Sequence, residues 1–148
     1  MAEQPQVAFS HQSICVSDRA RSLKFYSEAL GFTFSHALEI GAECEGITEI
    51  KGIKSAADFM TLGAMQIELL SYESPAVIGP STRKPMNQLG LTHISFHVSS
   101  IPDTVARIVA CGGAVLENTR LPTPQGDLIF CTDPDGVRIE LWEKTPAG

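Results

Sequence analysis

The sequence lacks the features that mark several large classes of protein. Its 148 residues contain no cluster of lysines and arginines, and the net charge is −6, so we expect no binding to nucleic acid or to a membrane surface. No apolar run approaches the roughly 20 residues of a membrane span. The first residues show neither the basic flank nor the apolar stretch of a signal peptide. The four cysteines form no CxxC pair and no metal-ligand spacing, which indicates reduced thiols in or near the core of a cytoplasmic protein.

The two halves of the chain carry the same short motifs in the same order. The pattern H-x-S-x-x-V-S occurs at 11–17 and again at 93–99, and each copy is followed by a glycine, Gly31 or Gly113. Each half then closes on Ile-Glu-Leu, at 67–69 and at 139–141. Because the order is kept twice, we interpret residues 1–148 as one domain built from a duplicated unit. Module 1 covers about 7–72, a linker 71–90, and module 2 about 91–144.

Each module is predicted to run strand, helix, then further strands, which gives an α+β fold. In module 1 we expect a strand over 7–16, a helix from Asp18 to Leu30 that ends at Gly31, and strands over 33–38, 47–53, 57–62 and 65–72. In module 2, Ser100 and Asp103 form a capping box at the start of a helix. Strands are expected over 114–119, 128–132 and 137–143, and the turn 133–136 makes the last two a hairpin.

Two histidines and two glutamates occupy equivalent positions of the modules: His11, Glu68, His93 and Glu140. Both glutamates sit between apolar neighbours in core-like strands, where a charge is costly unless it is paired or coordinates a metal. Taken singly, such a histidine is more often hydrogen-bonded within the protein than a metal ligand, and such a glutamate usually lies on a solvated strand face. Because the repeat relates them by an internal pseudo-dyad, we predict that all four bind one divalent ion: Zn, Ni, Co, Mn or Fe(II).

Three other features remain open at this stage. His97 lies on the same strand face as His93 and could contact the metal ligands or the substrate, whereas His36 is expected to be exposed. Neither has a repeat partner, so neither is counted as a ligand. The linker carries Arg83, Lys84 and Asn87, which could meet an anionic substrate; a solvated connector is the alternative interpretation.

The motifs resemble those of the vicinal oxygen chelate superfamily over nearly the whole chain, from Phe9 to Lys144. The resemblance rests on the histidine motif at 11–16, FYxxxLGF at 25–32, IEL at 67–69, GLTHIxF at 90–96 and DPDGxxIEL at 133–141. It implies paired βαβββ modules whose strands form a curled mixed sheet around a metal cleft. It also implies a homodimer.

The set of ligands discriminates among members of that superfamily. His11, Glu68, His93 and Glu140 match the set of bacterial glyoxalase I, and methylmalonyl-CoA epimerase is similar. The resemblance implies a metal-dependent lyase or isomerase that abstracts a proton next to a chelated carbonyl through an enediolate, with Glu140 as base and Glu68 as its counterpart. The alternatives are an Fe(II)-dependent ring-cleaving dioxygenase, which would leave the position of Glu68 open, and a non-catalytic protein that binds an antibiotic or other small molecule.

Overall fold

The computed structural model describes residues 4–144 and has an α+β fold with two separate four-stranded mixed sheets. The elements are β1 (Gln12–Cys15), α1 (Arg19–Lys24), β2 (Thr33–Ile40), α2 (Glu45–Thr48), β3 (Lys54–Leu62), β4 (Met65–Ser74), β5 (Ile94–Val98), α3 (Ile101–Ala110), β6 (Ala114–Leu121), β7 (Leu128–Thr132) and β8 (Arg138–Glu143). Sheet 1 has the order β1-β4-β3-β2 and sheet 2 the order β5-β8-β7-β6. In each sheet the first strand is parallel to the last strand of its module. The predicted pair of βαβββ units is confirmed.

The ends of the helices follow the local sequence. The Asp18 side chain accepts a hydrogen bond from the Arg21 amide at the start of α1, which continues into a π-helical turn over Phe25–Ala29. Gly31 ends this helix with φ of 83°, a conformation that glycine adopts without a steric penalty. Ser100 caps α3 by accepting a hydrogen bond from the Asp103 amide. The turn from Asp133 to Gly136 joins β7 to β8 as predicted.

Three details of the sequence interpretation are wrong. The strand predicted over 7–16 covers only Gln12–Cys15, because Val7 and Phe9 are 92% and 72% exposed and have no core to pack against. Residues 47–53 form no strand: the chain makes the short helix α2 and then a turn in which the Glu45 carboxylate accepts a hydrogen bond from the Gly52 amide. Glu49 takes a positive φ of 58° there, which breaks an extended run. The cysteines are all free, but only Cys131 is buried, and Cys15 is exposed rather than near the core.

Each sheet has one face against the core and one face turned away from it. The core face of sheet 1 carries Ile14, Ile67 and Leu69, and the equivalent face of sheet 2 carries Ile129 and Leu141, all nearly inaccessible. Side chains alternate along a strand, so the serine and glutamate of each repeat lie on the opposite face, which we call the site face. Within residues 4–144 no helix is long and apolar enough to cross a membrane.

The two modules of one chain are joined through their core sides by the 133–136 turn. The hydroxyl of Tyr26 from module 1 donates a 2.9 Å hydrogen bond to the Asp133 carboxylate of module 2. Burial raises the pKa of Asp133, although hydrogen bonds from the amides of Val137 and Asp135 and from Tyr26 oppose that rise. Burial also raises the pKa of Tyr26 well above its ordinary value, so the phenol keeps its proton and is the donor in this contact.

Asp135 makes a second set of contacts across the same junction. Its carboxylate accepts hydrogen bonds from the Ser17 amide at 2.9 Å and from the hydroxyl of Ser81 at 2.9 Å, and it pairs with Arg21 at 3.1 Å. Burial alone would raise the pKa of Asp135, but the hydrogen bonds from Ser17 and Ser81 and the charge of Arg21 bring it below its ordinary value. In its charged form Asp135 therefore ties module 1 and the linker (71–90) to module 2.

Candidate metal centre

The first pair of predicted ligands meets on the site face of sheet 1. His11 directly precedes β1, and its Nε2 lies 3.4 Å from Oε2 of Glu68 on β4. Ser13 stands opposite Glu68 in the parallel register of β1 and β4, and its hydroxyl donates a short hydrogen bond to the same oxygen. The side chains of His11 and Glu68 are 32% and 14% exposed, so the pair is accessible to an ion from one side.

The second pair repeats this arrangement on the site face of sheet 2. His93 directly precedes β5, and its Nε2 lies 3.9 Å from Oε2 of Glu140 on β8. Ser95 stands opposite Glu140 and donates a 2.7 Å hydrogen bond to Oε1, the other carboxylate oxygen. At Glu140 one oxygen is therefore held by the serine while the other faces the histidine.

A hydroxyl precedes each of these histidines and contacts its inner ring nitrogen. Ser10 Oγ lies 2.8 Å from His11 Nδ1, and Thr92 Oγ1 lies 2.9 Å from His93 Nδ1. When the hydroxyl accepts from Nδ1–H, the lone pair of the imidazole is at Nε2, the atom that faces the glutamate. A hydrogen bond of this kind is the usual device for orienting a histidine that binds a metal.

A phenylalanine supports each histidine ring from the neighbouring strand. Phe59 stands opposite Glu68 and Phe130 opposite Glu140 in the antiparallel register. The ring centroids of His11 and Phe59 are 5.3 Å apart at 80°, and those of His93 and Phe130 are 5.1 Å apart at 79°. We call the two clusters half-site 1 (Ser10, His11, Ser13, Phe59, Glu68) and half-site 2 (Thr92, His93, Ser95, Phe130, Glu140).

Each half-site fits two donors of a single divalent ion. Zinc bonds of about 2.0–2.2 Å to nitrogen and oxygen put two donors of one ion about 3.0–3.5 Å apart at octahedral to tetrahedral angles. The 3.4 Å distance in half-site 1 falls in this range. The 3.9 Å distance in half-site 2 is slightly wider, within reach of a small side-chain rotation. One histidine nitrogen and one carboxylate oxygen from each module would supply the borderline-hard set that such ions accept.

The structure brings the four residues together as two pairs and not as one group. In the described part of the chain, residues 4–144, no three side chains of histidine, cysteine, aspartate or glutamate are close enough to hold an ion together. The half-sites lie on different sheets, and the sheets are joined through their core sides by Tyr26, Asp133 and Asp135. Within one chain, the pseudo-dyad therefore does not bring the pairs face to face.

The remaining histidines differ from each other in surroundings. His36 on β2 is exposed, as expected, and its ring stacks on Phe59 with centroids 4.6 Å apart. It therefore borders half-site 1, which the sequence pattern did not indicate. His97 lies on the site face of β5, two residues beyond Ser95. Its ring packs against that of Trp142, with the ring centroids 5.1 Å apart.

Sequence reasoning also missed the supporting residues. The serines were visible in the H-x-S pattern but were not interpreted as partners of the glutamates. The hydroxyls before the histidines left a signal too, since Ser10 and Thr92 occupy the same position of the repeat. The phenylalanines left a weaker signal in the sequence, because their spacing to the glutamate differs between the modules: Phe59 precedes its glutamate by nine residues and Phe130 by ten.

Comparisons with known proteins give a consistent set of relatives. The sequence model of the glyoxalase/bleomycin resistance protein/dioxygenase superfamily matches residues 8–141. The uncharacterized protein YaeR of Escherichia coli K12 is 32% identical over 135 residues, which cover 90% of this chain and 94% of that protein.

Solved structures agree with this fold. A glyoxalase family protein from Bacillus cereus superposes with a TM-score of 0.85 at 21% identity and covers 97% of this chain and 98% of its own. The fosfomycin resistance protein FosX of Listeria monocytogenes has a TM-score of 0.63 at 19% identity, covering 96% and 97%. The trypanothione-dependent glyoxalase I of Leishmania major has a TM-score of 0.62 at 23% identity, covering 90% and 84%. At these identities the likeness concerns the fold.

Proposed function

The chain belongs to the glyoxalase/bleomycin resistance protein/dioxygenase superfamily, and from that premise we propose that it is a divalent-metal-dependent lyase or isomerase acting next to a carbonyl of a small molecule. The observation that carries the proposal is the duplicated constellation of hydroxyl, histidine, glutamate and serine. A histidine or a glutamate alone has an ordinary structural explanation. The same four groups in the same contacts on two sheets are best explained by a shared ligand.

We infer that the metal site is completed by two copies of the chain. His11 and Glu68 of one chain would combine with His93 and Glu140 of a second chain, which a twofold axis makes possible. The support is that each chain carries two half-sites on separate sheets whose mutual orientation is held by the Asp133–Asp135 turn. A homodimer would contain two such sites, each built from half-site 1 of one chain and half-site 2 of the other.

The bound ion would act as a Lewis acid that polarises the substrate carbonyl. The chain itself supplies the groups that move the proton. Glu140 is the proposed base, because Ser95 orients its carboxylate through Oε1 while Oε2 faces His93 without a hydrogen bond from the serine. In a site assembled from two chains, Glu68 would come from the other half-site, so it is the candidate for delivering or removing a proton on the other face of the same carbon.

The proposal is tested first by the metal content of the purified protein. We expect one divalent ion per chain in the wild type, a large loss in Glu68→Gln and in Glu140→Gln, and none in the double variant. Glu73→Gln is the matched control, because Glu73 lies near the end of the same strand as Glu68, is 69% exposed and pairs with Lys54. Unimpaired metal binding by the double variant would overturn the ligand set. A metal-free wild type after exposure to each candidate ion would instead favour a ligand-binding protein that keeps the fold.

Proton abstraction is tested separately by exchange with solvent deuterium. The hemithioacetal of methylglyoxal and glutathione represents the glyoxalase type of substrate, and methylmalonyl-coenzyme A represents the epimerase type. We expect deuterium at the α-carbon of a substrate that is turned over, and a loss of the exchange in Glu140→Gln. Turnover of such a substrate without exchange would refute the proposed chemistry.

A further inference from the structure

A cavity of about 410 Å³ lies between the first strands of the two modules, under the connecting segment 77–88. Ser13 of half-site 1 and His93 of half-site 2 both line it, as do Lys84 of the connecting segment and Arg138 at the start of β8. The cavity therefore reaches one proposed metal ligand, His93, and extends well beyond it. Its size suits a ligand of metabolite dimensions.

The side chains that line the cavity carry more positive than negative charge. Among the described residues, Lys84 and Arg138 are the basic side chains of its wall, and Asp135 is the acidic one. Asp135 is already engaged by Arg21 at 3.1 Å and by the amide of Ser17. Both cations are thus left to act on whatever enters the cavity, in a protein whose net charge is −6.

Arg138 is held in place by uncharged groups. Its Nε and Nη2 donate hydrogen bonds to the Lys84 carbonyl oxygen at 3.3 and 3.1 Å, and its guanidinium carbon lies 5.5 Å from the centre of the Phe130 ring. No carboxylate within residues 4–144 forms an ion pair with it. A guanidinium that is oriented by a carbonyl and a ring face, and that keeps donors free, is well suited to bind a carboxylate or phosphate.

The connecting segment is fixed over the cavity by close packing. A side chain at Gly136 would meet the Thr82 carbonyl carbon at 2.6 Å and the Arg83 nitrogen at 2.8 Å, so the segment passes directly over this glycine. The Ser81 hydroxyl also donates to Asp135 at 2.9 Å. The backbone that carries Lys84 is therefore packed against module 2, and Lys84 belongs to a fixed wall of the cavity.

The two half-sites differ at this point. Arg138 lies two residues before Glu140 on the site face of β8, and the equivalent position before Glu68 is occupied by Gln66, which is neutral. The positive charge is thus on one side of the site only. A ligand with one anionic group would be oriented by that asymmetry.

We propose that this cavity binds the anionic group of the substrate, a carboxylate or phosphate, through Arg138 and Lys84, with the rest of the molecule directed toward His93 and Glu140. The proposal rests on the proposed function for the role of the metal. The anion site itself requires no metal, so the two can fail independently.

The test measures anion binding to wild-type protein stripped of metal and dialysed into chelator-free Tris buffer. Malonate and inorganic phosphate are titrated separately by calorimetry, which distinguishes a carboxylate site from a phosphate site. We expect saturable binding of at least one probe, weakened about tenfold to a hundredfold in Arg138→Gln, as for the loss of a hydrogen bond from a charged donor. Lys84→Gln should weaken binding in the same direction without disturbing the backbone that Arg138 contacts.

Arg120→Gln is the matched control, because this substitution changes the net charge by the same amount as Arg138→Gln. Arg120 itself lies on β6, where it pairs with Asp127 at 3.6 Å. The affinity of this variant for the probes should equal that of the wild type. The proposal is overturned if the wild type binds neither probe, or if Arg120→Gln loses as much affinity as Lys84→Gln. Metal content measured on the same variants should not change, and this readout keeps the result separate from the test of the ligand set.

Discussion

Replacing Thr92 by valine tests whether the hydroxyl before each histidine prepares that histidine for a metal. Valine has nearly the same shape as threonine, so the change removes the 2.9 Å contact from Oγ1 to His93 Nδ1 and little else. Thr92 is exposed, and we expect the fold to be unaffected. Without its partner the imidazole can populate the wrong tautomer and can rotate away from Glu140.

The size of the effect follows from what else holds the ring. Loss of a partner behind a metal-binding histidine costs about 10–100-fold in metal affinity, or about 1.4–2.7 kcal/mol. Because the edge contact with Phe130 remains, we expect His93 to keep part of its orientation. The predicted loss is therefore near the lower limit, about tenfold, for Thr92→Val and equally for Ser10→Ala.

The assay is a titration with Co(II), followed by its visible absorption and by competition with a chelator. Ser35→Ala provides the matched control, since Ser35 makes the same contact with a histidine that is not a proposed ligand, 2.9 Å to His36 Nδ1. Its affinity for cobalt should equal that of the wild type. The reasoning is refuted if Thr92→Val binds cobalt normally, or if Ser35→Ala is weakened to the same degree.

Two further predictions concern the framework of the site. In Gly113→Ala the new Cβ would lie 2.5 Å from the Thr132 carbonyl oxygen and 2.7 Å from the Ile108 side chain, so we expect a loss of about 1–3 kcal/mol in the free energy of unfolding. Urea denaturation measures this loss. Gly46→Ala is the control, and its stability should change little because a Cβ at Gly46 meets open space. Because the pKa of Asp135 is lowered in the folded protein, its stabilising effect is fully present above the unfolded pKa of about 3.9 and is lost as the pH falls from there through the lower pKa of the folded protein. The melting temperature of Asp135→Asn, followed from pH 7 to pH 3, should therefore fall less steeply than that of the wild type, and parallel curves would contradict this role.

The sequence was sufficient to predict the histidine and the glutamate of each half-site, but not the residues that support them. The repeat predicted a histidine on one strand and a glutamate in the middle of another, although the structure has each histidine directly before its strand. The parallel pairing of β1 with β4 and of β5 with β8 then brings each such pair within 4 Å. This could be predicted because strand alternation is a local property and because the second copy confirmed the phase of the first.

The relation between the half-sites could not be read in the same way. It depends on contacts between distant segments, such as the hydrogen bond from Tyr26 to Asp133, which no periodicity reveals. The strand predicted over 47–53 was wrong for a related reason. The apolar content of these residues resembles a strand, but the Glu45 carboxylate stabilises a turn that competes with extension. The role of Arg138 likewise depends on a backbone carbonyl in the connecting segment.

The central claim is that two chains share each metal site, and a mixture of complementary variants tests it most directly. One variant carries His11→Ala with Glu68→Gln and lacks half-site 1; the other carries His93→Ala with Glu140→Gln and lacks half-site 2. Either variant alone should bind no metal, while purified heterodimers, isolated by two different affinity tags, should bind one ion per dimer, half of the wild-type content. Heterodimers without metal would contradict the claim, because ligands drawn from a single chain cannot complement each other.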